Sequence, residues 1–150
     1  MTSTDDKPRM TFGKKEHVVS KKTLEKLFSG GNRSMVAYPI RMVYMADDSG
    51  DEPVKVMVSV SKRHFKRAVK RNRVKRQIRE AYRRQKAVLV EAAAKADKPH
   101  TLAFIYMSDN LLPSSTIDES IGKLLQRLSE KISLKYEAEK AKAENEEFRI

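Results

Sequence analysis

The sequence predicts an α+β fold, a single-domain α/β sandwich in which helices pack a small sheet in the order αββαβα. Three observations carry that reading. Two runs, Ala37–Met45 and Val54–Ser61, alternate in the two-residue period of a strand. His100–Met107 is almost continuously apolar, the pattern of a buried central strand. Ile117, Ile121, Leu124, Leu125, Leu128 and Ile132 recur at helical spacing.

Each element has its own local signals. Residues 1–11 read as a disordered tail, polar over Met1–Pro8. Lys21–Phe28 reads as a short helix with Leu24, Leu27 and Phe28 on its apolar side. Ser20 serves as its N-cap, Val19 and Leu24 as a hydrophobic staple, and Gly30-Gly31 as its stop. In the first strand Ile40, Met42 and Tyr44 share one face, with Arg41 and Val43 on the other. Asp47–Pro53 is a polar turn, so the two alternating runs read as an antiparallel hairpin. A basic helix follows, extended by the alanine-rich Ala87–Ala96 and ended by a turn at Asp97–Pro99. Thr116-Ile117-Asp118-Glu119 has the form of a capping box opening the last helix. The domain spans residues 12–135, and residues 136–150 form a charged tail that is frayed helix or disordered.

Composition narrows the function. The chain has 150 residues and no cysteine, which excludes disulfides, thiolate metal sites and a cysteine nucleophile. No apolar run approaches the length of a membrane span, so a cytoplasmic protein with no membrane partner is expected. Charge is the stronger clue. Thirteen of the 32 lysines and arginines fall within Lys62–Lys86 beside a single acid, Glu80, so this segment carries the whole net charge of +12. Such concentration is an electrostatic footprint for a polyanion.

On a helical wheel Val74, Ile78, Ala81 and Tyr82 form a narrow apolar stripe. Lys75, Arg76, Arg79, Arg83 and Lys86 cluster beside it, with Arg73 and Arg84 further round. Glu80 can pair with Arg76 or Arg84, which leaves the other cations without local partners. Arginine forks grip phosphate bidentately and stack on exposed bases, chemistry suited to structured RNA.

Val60–Arg83, centred on Arg71-Asn72-Arg73 and continued by Val-Lys-Arg and Ile-Arg-Glu, resembles the signature of the bacterial ribonuclease P protein subunit. The resemblance covers about Phe12–Lys135 and implies a left-handed crossover helix between parallel strands. It implies a monomeric accessory subunit whose partners are a catalytic RNA and precursor tRNA, from which the complex removes the 5′ leader. Mg²⁺ would act through the RNA, with no organic cofactor. By this resemblance Arg71, Asn72, Arg73, Lys75, Arg76 and Arg79 contact the catalytic RNA, flanked by Lys62, Arg63, Lys66 and Arg67. A cleft between the first helix and the sheet would hold the leader at Leu24 and Phe28, with a strand position at Met42 or Tyr44. Leu24 stands where phenylalanine is frequent in the family, which shifts stacking towards Phe28 and Tyr44.

Other candidates are weak. His17, His64 and His100 have no metal-ligand spacing, and Asp47, Asp48, Asp51 and Glu52 match no calcium loop. The sequence shows no Ser/His/Asp set or paired catalytic carboxylates. The rival readings are a structural RNA-binding protein, such as a ribosomal or assembly factor, and a self-sufficient nuclease.

Overall fold

Pro39 divides what reads in sequence as one strand. Proline has no N–H to give to a ladder, and the chain turns there through a cis Tyr38–Pro39 bond. β1 (Arg33–Ala37) and β2 (Ile40–Ala46) consequently form an antiparallel hairpin, with Ala37 opposite Ile40. The structure is a computed structural model and describes residues 21–29, 32–46 and 52–147. The N-terminal tail, Ser20, Val19, His17, Gly30-Gly31 and most of the Asp47–Pro53 turn lie outside the described residues.

The hairpin expected between the two alternating runs does not form. β3 (Val54–Ser59) lies at the far edge, parallel to β4 (His100–Tyr106), and β4 runs antiparallel to β2. Among the described residues the strands form one sheet in the order β1-β2-β4-β3. Alternation decides which face a strand buries and leaves its neighbour open. β4, almost wholly buried, takes a central place, as its apolar run predicts.

One face of the sheet carries Ile40, Met42, Tyr44, Val54, Val56, Leu102, Phe104 and Tyr106 into the main core. α2 (Ala68–Gln85), α3 (Ala87–Lys95) and α4 (Ser114–Glu147) cover it. Val74, Ile78, Ala81 and Tyr82 are the buried residues of α2, as its wheel predicts. They meet α4 more than the sheet, and the rings of Tyr82 and Phe104 lie 5.9 Å apart. Gln85 of α2 lays its carboxamide over Gly122 of α4, where a Cβ would stand 2.6 Å from its oxygen. Together α2 and α3 form the crossover that joins parallel neighbours β3 and β4.

The opposite face is thinly covered. Leu27 of α1 (Lys21–Phe28) packs on Val43 and Ala103, edged by Met45, Met57 and Ile105. Eight helical residues span only about 12 Å, so among the described residues α1 covers only part of this face.

Helix ends follow local chemistry. Asp97, at φ 50°, closes α3 in the left-handed conformation, where Lys98 N–H returns to the Ala93 carbonyl at 3.1 Å. α4 begins at Ser114, ahead of the expected capping box, because the Pro113 carbonyl already accepts from the Thr116 and Ile117 amides. α4 also runs to Glu147, well beyond Lys135, and Lys98 pairs with Glu139 at 3.0 Å on that extension. Buried His100 donates from Nδ1 to the Lys98 carbonyl at 2.7 Å. Burial holds its pKa below the ordinary value, so the ring is neutral at pH 7.

Candidate nucleic-acid interface

The basic segment starts as a loop, and the loop is tied down. Ser61 accepts the Arg63 amide on Oγ at 3.0 Å, and its carbonyl accepts the amides of His64 and Phe65. Phe65 is buried, with its ring 6.0 Å from that of Tyr106. Arg71 completes the tie. Its Nη1 donates to the carbonyls of Phe65 and Lys66 at 2.9 and 2.8 Å. The first arginine of the signature triplet, expected to face RNA, is thus half-buried and positions the loop that carries the other cations.

Arg71→Lys keeps the charge but loses the guanidinium that reaches both carbonyls. It should cost about 1–2 kcal/mol of stability, from two partly exposed hydrogen bonds. Amide exchange at residues 65–67 should quicken; unchanged protection would refute the tie.

The rest of the signature faces outward. Asn72, Arg73, Arg76 and Arg79 are exposed, as are Lys62, Arg63, Lys66 and Arg67, while Lys75 is half-buried. Arg73, Arg76 and Arg79 have no carboxylate partner among the described residues. Further along α2 the cations are engaged. Arg83 donates from Nε to Glu80 at 3.0 Å, which holds the Glu80 carboxyl below its ordinary pKa. Arg84 reaches Asp118 of α4 at 2.6 Å and Glu80 at 3.7 Å, and Lys86 is buried. Glu80 therefore pairs with Arg83 and Arg84, not Arg76, and the open cationic surface is the N-terminal half of α2 with its loop. Lys70, exposed in the same turn, also belongs to this surface. Its signal was its place between Arg67 and Arg71. Beside the loop, His64 Nδ1 lies 2.6 Å from Asp109 Oδ1.

The expected cleft residues separate. Leu24 and Phe28 lie on α1, half-buried and 48% exposed respectively. Met42 and Tyr44 do not join them. Both point into the core on the opposite sheet face, where Lys131 of α4 donates to the Tyr44 hydroxyl at 2.8 Å. The strand positions beside α1 are one residue displaced: Val43 under Leu27, with Arg41 and Met45 on either side. Arg41 is exposed and Lys55 half-buried on this face, and the sequence reading gave neither a role. Their signal was strand parity, because each falls on the polar side of its run.

Among the described residues no group of three His, Cys, Asp or Glu could hold a metal ion. No described helix is long and apolar enough to cross a membrane.

A stapled cationic surface on one side of an α+β domain, and a half-covered sheet face on the other, define a polyanion-binding protein. Comparison with known proteins specifies which kind. The family model for ribonuclease P matches residues 12–129. The ribonuclease P protein component of Porphyromonas gingivalis is 37% identical over 122 residues, covering 79% of this chain and 88% of that protein. That of Chlorobaculum tepidum is 38% identical over 94 residues, covering 57% and 60% respectively. The chain belongs to the ribonuclease P protein family. The fold agrees: the Staphylococcus aureus RNase P protein matches with a TM-score of 0.60 at 17% identity, over 75% of this chain and 94% of that one. The Thermotoga maritima RNase P protein matches at 0.59 and 20%, over 75% and 96%.

Proposed function

We propose that this chain acts in the cytoplasm as the protein subunit of ribonuclease P, assisting a catalytic RNA that removes the 5′ leader of precursor tRNA. The observation that carries the reading is the set of exposed cations on a tied-down loop and the N-terminal half of α2. Like charges held together repel, and bringing in phosphates reverses that cost through charge-assisted hydrogen bonds and counterion release. On this reading the surface docks the catalytic RNA and offsets its repulsion from the substrate.

The cleft between α1 and the open sheet face would hold the single-stranded leader. Phe28 offers a ring on which a base can stack, and Arg41 and Lys55 offer charge to its backbone. Leader and catalytic RNA held by one rigid body place the scissile phosphate in register, a positional contribution to rate. On this reading magnesium would act through the catalytic RNA and its phosphates.

Reconstitution with the catalytic RNA of the same organism tests the reading. At low Mg²⁺ the protein, a monomer on its own, should accelerate leader removal. No acceleration, with co-purification of ribosomal RNA instead, would favour a structural RNA-binding protein.

A further inference from the structure

We propose a second RNA phosphate-binding site at the opposite end of the sheet from the signature loop, built by Arg33, Lys131 and Lys135. A cavity of about 350 Å³ opens there between the end of β2 and α4. Arg33 enters from β1, opposite Tyr44 in the ladder and therefore on the α4 face. Lys131 and Lys135 come from successive turns of α4. Lys131 is held in place by its bond to the Tyr44 hydroxyl and lies 5.5 Å from the centre of that ring. Asn32 and His100 complete the polar wall.

Three cations converge here, and none has a carboxylate partner among the described residues. Glu139, in the adjoining depression, is already engaged by Lys98. As on α2, the described residues leave like charges unneutralised around a concave surface, and phosphate supplies a counter-charge. The site favours a chain over a free ion. Its donors are long and exposed, and the groove continues past His100, Ile132 and Lys135 into the next depression, where Tyr136 offers a ring. The site is also remote from the first. β4 starts at His100 in this groove and ends at Tyr106, against Phe65 of the signature loop. Seven strand residues separate the two by about 20 Å. One phosphate contact cannot span that distance, so the groove would engage a different stretch of RNA.

The inference rests on the RNA-docking reading and can fail separately from it. Arg33→Gln/Lys135→Gln removes two charges, keeps most of the side-chain bulk and spares the Lys131–Tyr44 bond. Binding of the matching catalytic RNA should show a salt slope, log K against log[salt], shallower by about one to two. Arg73→Ala is measured beside it. If Arg73→Ala alone flattens the slope, the second site is wrong; if neither does, the RNA-docking reading falls with it. On the wild-type chain, NMR amide shifts at residues 33, 131 and 135 should respond to the RNA. A response to inorganic phosphate without one to RNA would make the groove a small-anion pocket and overturn the proposal.

Discussion

Replacing Arg73, Arg76 and Arg79 together with alanine should weaken binding of the matching catalytic RNA roughly a hundredfold, at about 1 kcal/mol per charge-assisted contact. The salt slope should flatten by about two to three, because each phosphate contact contributes somewhat less than one. These side chains are exposed and have no carboxylate partner among the described residues, so stability should be unchanged or slightly raised by relief of repulsion. Filter binding at several salt concentrations and a thermal melt check both halves. A lost affinity with an unaltered salt slope would mean that these arginines do not face phosphate.

Ile78→Ala should do the reverse. Ile78 is fully buried in the main core, on the face of α2 that meets α4. Its truncation should cost about 2–5 kcal/mol, the transfer term plus a cavity. Against a total of about 5–15 kcal/mol for a domain, that is a large fraction. The denaturant midpoint should drop sharply, while any protein that remains folded binds RNA with the wild-type salt slope. A midpoint within error of wild type would contradict the packing of α2 on α4.

How much was legible in the sequence differs by element, for physical reasons. The apolar stripe of α2 and the central place of β4 follow from periodicity, because burial acts on side chains at fixed spacing. Partner choice does not follow. Val54–Ser59 alternates as well beside β4 as beside β2, and only three-dimensional closure selects the parallel pairing. Pro39 is a break in the Ala37–Met45 run, but the alternation on either side of it hides the break in the sequence.

The site divides in the same way. Charge density located the cationic surface, but charge alone cannot separate a cation that reaches out from one that reaches back. Arg71 bonds two carbonyls of its own loop, Arg84 crosses to Asp118, and Lys86 is buried. Those partners come from loop geometry or from residues more than thirty positions away. The cleft misassignment of Met42 and Tyr44 was a one-residue error in strand parity, and such an error moves a side chain through the sheet.

The pairing of β3 with β4 has a kinetic and thermodynamic corollary. These strands lie edge to edge, yet some forty residues of intervening chain, including all of α2, must close as a loop before they meet. Closing it is an entropic cost met early in folding, and high contact order slows the search. The cationic loop before α2 inherits that delay, since Phe65 has its aromatic neighbour only once Tyr106 is in place. A ligand that binds only the closed form adds RT ln(1 + [L]/Kd) to its stability. Under the proposed function, a catalytic RNA docked there would therefore also act on folding, drawing newly made chains towards the topology that recognises it.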